Sequence, residues 1–313
     1  MPNSHKITYR FPRSITIQYI RDFVRVSSSI FKYQTTETKN VYVDTSGVEK
    51  IDILGSVLLY KFFEYTVRKR CFHRPDTNLV SNIYLKMELD RTGIKQLIEA
   101  FIKNGIPYDY NLKVSGDKKF FLVPIVLDKK SKISPKTEYD NINKINSFYK
   151  STPQKKFPIL QCIAELSSNF IEHSVLDTKS ILLASGNENY FEIACADTGN
   201  GIISNLRPVI GALEQNSKYR IIGKAIEKGI TSKQKTNHMG QGLWLINQFV
   251  TNGRGELQIF TEGAYLINKK DQIRVGDFPF WKGTIIYVKL PLGNCDLYSR
   301  VIEDISSETK KYI

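Results

Sequence analysis

Residues 191–202 read FEIACADTGNGI. The first part, residues 191–196, has the composition of a strand, and a carboxylate and two glycines follow it, Asp197, Gly199 and Gly201. Glycines let the backbone turn sharply and leave room for a flat ligand beside the carboxylate. An Asp at a strand end that faces a pocket can accept a hydrogen bond from an exocyclic amine such as that of adenine. The same spacing is also a common turn, so its meaning depends on the rest of the chain.

A second glycine-rich stretch lies downstream and reads GQGLWLI, residues 240–246. The apolar pattern predicts an amphipathic helix over residues 242–251, so glycine amides precede a helix N-terminus. Such an arrangement binds phosphate, because unpaired N–H groups and the helix dipole both attract an anion.

A third pattern lies upstream in residues 161–173, QCIAELSSNFIEH, within a helix predicted over residues 154–175. Its buried stripe is predicted from the helical spacing of Ile159, Ile163, Leu166 and Phe170. Glu165, Asn169 and His173 are spaced by four residues and stack along a neighbouring stripe. A carboxylate and an amide would therefore share the rim of one site, although this spacing alone is more typical of a solvated helix face.

In this order, the three stretches resemble the N, G1 and G2 boxes of the GHKL ATPases, the family of sensor histidine kinases, type II topoisomerases and mismatch-repair ATPases. The N box is similar to residues 165–169, the G1 box to residues 197–201 and the G2 box to residues 240–243. Gly283 and Thr284 resemble the family's Gly-Thr element before the last strand. The resemblance covers residues 156–291 and implies a GHKL (Bergerat) α/β sandwich, with helices on one face of a mixed sheet.

The resemblance also implies a site for ATP and Mg²⁺. Asn169 would coordinate Mg²⁺, and Glu165 would act as the general base. Asp197 would read the adenine amine. The rest of the adenine pocket would be formed by Gly199, Gly201 and Thr284. The phosphates would lie against the G2 box residues Gly240, Gly242 and Leu243. Phosphoryl transfer suits such a site, because it needs mainly positioning, a metal and an oriented nucleophile.

Residues 202–239 would form the lid over the nucleotide. The segment AIEKGITSK, residues 225–233, resembles a family pattern that ends in Gly-x-Ser/Thr-Lys near the phosphates. Lys233 or Lys235 would then reach the γ-phosphate on lid closure, the alternative being a solvated basic loop. We interpret His173 as a pocket-edge or packing residue and not as a phosphoacceptor.

The N-terminal half contains VYVDTSGVEKIDILG, residues 41–55, a strand that runs into a turn and a helix. This stretch resembles the STAS domain of anti-anti-sigma factors, and the similarity extends over residues 14–127. In STAS regulators a serine directly after this Asp is phosphorylated by a GHKL-type serine kinase, whereas here Asp52 is followed by Ile53. The resemblance therefore implies an interaction or dimerisation module without that switch. Turn and helix-start roles explain the nearby hydroxyls of Thr45, Ser46 and Ser56.

A chain of 313 residues with 41% hydrophobic residues can form two cores. We predict a two-domain α/β protein with a STAS-like mixed sheet and helices over residues 1–128 and a GHKL domain over residues 156–295. The linker, residues 129–155, is rich in Lys, Asn, Ser and Pro, and a tail follows at residues 296–313. Strands are predicted at residues 15–19, 40–43, 82–85, 120–127, 180–185, 190–196, 256–261, 265–268 and 284–290. Further helices are predicted at residues 53–70, 93–104 and 219–228.

The formal charge of +14 leaves open an anionic partner such as nucleic acid, although no motif indicates one and scattered lysines account for much of the excess. The four cysteines have no close paired spacing that would predict a zinc site or disulfides. Neither a membrane-spanning run nor a secretory signal is present in the sequence, so we expect a cytoplasmic chain without a membrane partner. An unknown protein partner would bind the STAS-like domain, and a homodimer is left open.

The sequence is compatible with three functions. The first is a Mg-dependent ATPase that acts as a nucleotide switch in signalling. The second is a serine/threonine kinase, because Glu165, Asn169 and His173 have the spacing of the N box in the anti-sigma kinases. The third is a non-hydrolysing ATP-binding regulator that contacts nucleic acid. A histidine kinase is disfavoured because His5 and His73 lie in no helical hairpin, and the residues after Pro291 are too few for the transducer domain of a topoisomerase.

Overall fold

The computed structural model describes residues 6–32, 39–69, 75–104, 112–115, 119–127, 135–150, 153–173, 180–211, 217–231, 242–293, 298–299 and 301. Within these ranges the chain is α/β, as predicted, with helices and three separate sheets.

The N-terminal strands form two small parallel sheets. The larger sheet has the strand order β1 (Lys6–Arg10), β3 (Asn40–Asp44) and β5 (Asp76–Thr77). The smaller sheet pairs β2 (Ser14–Ile15) with β4 (Lys50–Ile51). Both are parallel, because helical or irregular segments connect their strands instead of hairpin turns.

Four helices accompany these strands: α1 (Ile20–Ser27), α2 (Ile53–Arg68), α3 (Ile83–Arg91) and α4 (Ile94–Asn104). Asp52 caps α2 and accepts hydrogen bonds from the backbone N–H groups of Gly55 at 2.8 Å and Ile17 at 2.7 Å. The predicted helices over residues 53–70 and 93–104 are confirmed as α2 and α4. The predicted strand over residues 82–85 is wrong, because Asn82 caps α3 through the backbone N–H of Leu85 and so starts a helix.

The remaining strands form one eight-stranded sheet. Its strands are β6 (Phe120–Phe121), β7 (Ile125–Leu127), β8 (Ser180–Gly186), β9 (Tyr190–Ala196), β10 (Glu256–Thr261), β11 (Ala264–Lys269), β12 (Gln272–Asp277) and β13 (Thr284–Pro291). The strand order is β12-β11-β10-β13-β9-β8-β6, with β7 also paired to β8.

All pairings between these eight strands are antiparallel, whereas the resemblance implied a mixed sheet. Tight turns are the local cause of the antiparallel pairing of β10, β11 and β12. Two-residue turns join β10 to β11 and β11 to β12, and their residues all have positive φ: Glu262, Gly263, Lys270 and Asp271. Turns of this kind match the twist of a hairpin and direct the chain back alongside itself.

Five further helices belong to the C-terminal half: α5 (Pro135–Phe148), α6 (Pro153–His173), α7 (Ile202–Leu206), α8 (Lys218–Lys224) and α9 (Gly242–Asn252). The helices α6 and α9 share a core with one face of the large sheet, and this core contains Leu166, Phe249, Cys195 and Ile286. In the described part of the chain, no helix has both the length and the apolar character that a bilayer crossing requires.

The opposite face of the large sheet is covered by the N-terminal half. All residues of α2 from Ile53 to Thr66 are buried, and the core around them includes Leu183, Ala194 and Tyr287 of the sheet. Two strands of the predicted N-terminal domain, β6 and β7, pair with β8, and α5 occupies much of the predicted linker. The domain boundaries therefore stay predictions, while the N-terminal half and the large sheet share the core on this face.

The close approach of α2 to β2 gives a test of this packing. A Cβ atom on Gly55 would overlap the backbone carbonyl of Ile15, so we expect Gly55→Ala to lower the free energy of unfolding by about 1–3 kcal/mol. The control is Gly223→Ala in α8, where nothing lies within 4 Å of the added atom. This control should raise the free energy of unfolding by about 0.4–1 kcal/mol. Urea unfolding followed by circular dichroism measures both, and equal stability of the two variants would contradict the packing.

Candidate functional site

A cavity lies between α6, the end of β9, the start of α9 and the start of β13. It is lined by six of the residues predicted from sequence, Glu165, Asn169, Asp197, Gly242, Leu243 and Thr284. The predicted helix over residues 154–175, the strand at 190–196 and the helix at 242–251 are confirmed as α6, β9 and α9. These elements come from distant parts of the sequence, and only the fold brings their polar residues together.

One end of the cavity is formed where α6 meets the first residue of α9. A Cβ atom on Gly242 would lie 2.7 Å from Glu165 Oε2 and 3.0 Å from Asn169 Nδ2. The absence of a side chain at Gly242 therefore lets the start of α9 approach both polar groups. Gln161, one turn before Glu165, donates to Glu165 Oε1 at 3.5 Å. This end combines a carboxylate, an amide and the N-terminus of a helix.

The amide of Asn169 has unused hydrogen-bonding capacity. Its Nδ2 atom is buried and has no hydrogen-bond partner within the described ranges. Among the described residues there is also no group of three or more His, Cys, Asp or Glu side chains that could enclose a metal ion. One amide oxygen beside a carboxylate fits Mg²⁺, which keeps several waters and is usually bound together with substrate phosphates.

The other end of the cavity is organised around Asp197, which follows β9. Its backbone N–H donates to the carbonyl oxygen of Thr284 at 3.0 Å, and its carbonyl oxygen accepts from Trp281 Nε1 at 2.8 Å. Its Oδ1 atom accepts from the backbone N–H of Gly199 at 2.6 Å. Asp197 lines the cavity, so its carboxylate can accept a hydrogen bond from a ligand there.

Burial of the Asp197 carboxyl raises its pKa from 3.8 to about 7. The hydrogen bond from Gly199 and the positive charge of Lys61 on α2 oppose this rise. Gly283 lies directly against the group, with φ of 93°, and a Cβ atom there would overlap the carboxylate. The carboxyl is therefore tightly enclosed, and near neutral pH it lies close to the midpoint of its titration.

The turn after Asp197 is held by the turn between β10 and β11. The backbone N–H of Ile202 donates to Thr261 Oγ1 at 3.1 Å, and that of Ser204 donates to Glu262 Oε2 at 2.9 Å. A Cβ atom on Gly201 would overlap both acceptor side chains. Gly201 therefore permits a close contact between two turns, and the cavity wall at this point is formed by its neighbours Asn200 and Ile202.

Three predicted residues lie outside the described part of the chain: Lys233, Lys235 and Gly240. Within the predicted lid, residues 202–239, six described residues line the cavity: Ile202, Asn205, Leu206, Ala225, Ile230 and Thr231. The backbone of His173 ends α6.

Sequence reasoning missed Thr261, Glu262 and Trp281. Trp281 stands two residues before the recognised Gly283, but its hydrogen bond joins positions 84 residues apart. Thr261 and Glu262 contact the turn after Asp197 across 58 or 59 residues. No local periodicity signals such contacts.

Neither a protein-family model nor a curated protein sequence matches this chain. The geometry of the cavity is therefore the main support for any function.

The raised pKa of Asp197 predicts how stability depends on pH. Because the folded chain holds this proton more tightly than the unfolded chain, the free energy of unfolding should fall as pH rises from about 5 to 7. Asp52, whose pKa burial raises to about 6, adds to the decline. We expect Asp197→Asn to remove about 2 kcal/mol of it.

Urea unfolding at several pH values measures this effect. Asp271→Asn is the control, because Asp271 is exposed in the turn between β11 and β12 and its replacement should leave the pH profile unchanged. Parallel profiles for the parent and Asp197→Asn would show that the carboxyl at residue 197 is not the titrating group.

Proposed function

We propose that this chain binds ATP together with Mg²⁺ and hydrolyses the nucleotide, and that nucleotide occupancy acts as a regulatory switch. One observation carries the proposal. Glu165 and Asn169 on α6, Asp197 after β9, Gly242 at the start of α9 and Thr284 at the start of β13 all line one cavity. Each of these features is common alone, and their convergence supports the proposal because a metal, phosphates and a base would each have a separate place.

The end of the cavity at α6 and α9 suits the phosphates. Asn169 would hold Mg²⁺ through its amide oxygen, and the backbone N–H groups at the start of α9 would donate to phosphate oxygens. Bound Mg²⁺ would supply neutralisation of the phosphate charge. Glu165, one helical turn before Asn169, would orient the attacking water and accept its proton.

The end of the cavity at β9 and β13 suits adenine. The carboxylate of Asp197 would accept a hydrogen bond from the exocyclic amine, while Ile202, Leu206 and Ile286 provide apolar surface for a flat ring. Guanine carries a carbonyl oxygen where adenine carries this amine. Two acceptors would then face each other, so the site should prefer ATP over GTP.

The N-terminal half is proposed to pass the nucleotide state to a protein partner. Ile53 supplies no hydroxyl after Asp52, and both Asp52 carboxylate oxygens already accept backbone N–H groups. We therefore propose no phosphorylation switch at residue 53. The packing of α2 against β8 and β9 gives this half direct contact with the sheet that supports the cavity.

Glu165→Gln tests the proposed hydrolysis. We expect release of phosphate from γ-labelled ATP to fall by about a hundredfold or more, because the variant cannot accept the proton of the attacking water. Binding of a fluorescent ATP analogue should change by only a few-fold, because Gln has nearly the same shape. Glu188→Gln, in the exposed turn between β8 and β9, is the matched control and should keep parental turnover.

The same labelled nucleotide separates the three functions. Phosphate release that depends on Mg²⁺ and on Glu165 supports the ATPase, whereas transfer of label to Ser or Thr of a partner protein would indicate a kinase. Binding without turnover at any Mg²⁺ concentration would leave the non-hydrolysing regulator and would overturn the proposed hydrolysis. An absence of nucleotide binding in the parent protein would overturn the whole proposal.

A further inference from the structure

Trp281 joins two turns at the base end of the cavity. Its side chain is fully buried, and its Nε1 atom donates to the carbonyl oxygen of Asp197 at 2.8 Å. Its own carbonyl oxygen accepts from the backbone N–H of Glu262 at 3.2 Å. Glu262 in turn accepts from Ser204 in α7. One residue therefore fixes the position of Asp197 and of the turn that holds the start of α7.

The ring of Trp281 is held in place by the N-terminal half. Phe31, in a short 3₁₀ turn after α1, packs edge-on against Trp281 with ring centroids 5.1 Å apart and planes at 80°. Tyr65, on α2, packs in the same way against Phe31, at 4.8 Å and 71°. Edge-to-face geometry is the favoured arrangement of aromatic rings and is specific in distance and angle. A continuous row of three rings thus runs from α2 to the Asp197 carbonyl.

A buried charged residue on α2 lies on the side of the sheet that carries the aromatic row. Lys61, one helical turn before Tyr65, is fully buried and forms an ion pair with Glu64. Its positive charge acts on both Asp197 and Cys195 at the end of β9. The N-terminal half therefore affects the end of β9 through charge as well as through packing.

We infer that Trp281 is a positioning residue that sets the base preference of the nucleotide site, and that Phe31 and Tyr65 of the N-terminal half keep it in place. The inference rests on the proposed ATP binding and adds a specificity residue to it. Without the indole N–H, the carbonyl of Asp197 would lose its donor and the turn at residues 197–199 would lose one of its supports. The carboxylate would then meet the adenine amine less well, and the preference for ATP over GTP would fall.

Support of Asp197 by the aromatic row also implies the reverse effect, from a bound nucleotide to the row. If the aromatic row supports Asp197, then nucleotide bound to Asp197 must stabilise the row by the same free energy. Occupancy of the site should therefore change the surroundings of the Trp281 ring. Because the chain has two tryptophans, Trp244 and Trp281, the variant Trp244→Phe makes Trp281 the only tryptophan fluorophore.

The test compares ATP and GTP as competitors of a fluorescent ATP analogue, so its readout is binding and not turnover. Trp281→Phe keeps a ring against Phe31 but lacks the N–H donor. We expect its ATP affinity to fall about tenfold and its GTP affinity to change much less, which lowers the ATP/GTP preference about tenfold. In the Trp244→Phe background, ATP should shift the emission of Trp281.

Phe31→Leu tests the same contact from the N-terminal half and preserves an apolar side chain there. We expect the ATP/GTP preference to fall about threefold, because an aromatic contact is lost. The matched control is Phe157→Leu on α6, where Phe157 packs edge-on against Phe249 at 6.3 Å. Phe157 is part of neither the cavity lining nor the aromatic row, so this variant should keep the parental preference.

The outcomes separate the inference from the proposed function. If the parent binds no ATP, the proposed function fails. If the parent binds ATP but Trp281→Phe and Phe31→Leu keep its ATP/GTP preference, the inference alone is overturned. Equal losses for ATP and GTP would assign Trp281 a purely structural role and overturn it as well. If Trp281→Phe does not fold, the ATP/GTP preference of Phe31→Leu and the emission of Trp281 with ATP test the inference instead. An unchanged preference together with an unchanged emission would overturn it.

Discussion

The burial of one carboxyl group at the end of a central strand governs the architecture of the cavity. Asp197 leaves β9 between β8 and β13, where a charged or polar group without hydrogen bonds would be costly. Its N–H, its carbonyl and Oδ1 therefore each have a partner. This close packing also requires a glycine at residue 283, because a Cβ atom on Gly283 would overlap the carboxylate of Asp197.

The second constraint is that both faces of the large sheet are covered. One face carries α6 and α9, which line one end of the cavity, and the other carries α2. Because α2 is buried on all sides, it even encloses an ion pair, Lys61 with Glu64, to which Arg68 adds a contact of 3.3 Å. A buried pair contributes little net stability, but removal of one partner is costly because the other charge stays buried. Because both partners lie on α2, the helix carries no uncompensated charge from this pair into the core.

Local features could be predicted from the sequence, and long-range contacts could not. The helical spacing of Glu165 and Asn169 and the glycines after Asp197 identified elements that the structure contains and brings together. In contrast, the β-branched and aromatic residues after Asn82 suggested a strand, although the four-residue spacing of Leu85 and Leu89 places both on the buried side of α3. The contact of Trp281 with Asp197 depends on the pairing of β13 with β9, which no local pattern in either strand specifies.

The position of Asp197 and the ionisation of its carboxyl are linked through the contact between α2 and the large sheet. The carboxyl accepts hydrogen bonds more strongly when ionised. Burial raises its pKa to about 7, and the positive charge of Lys61 in the N-terminal half opposes this rise. Movement of α2 away from the sheet would let water reach the carboxyl, and this hydration favours its ionisation. The same movement would take away the positive charge of Lys61, and this loss disfavours ionisation. The aromatic row would separate in the same movement. If the cavity binds a nucleotide as we propose, a partner on the N-terminal half would act on the end of the cavity at Asp197 without touching that nucleotide. The proposed nucleotide-dependent switch requires this property.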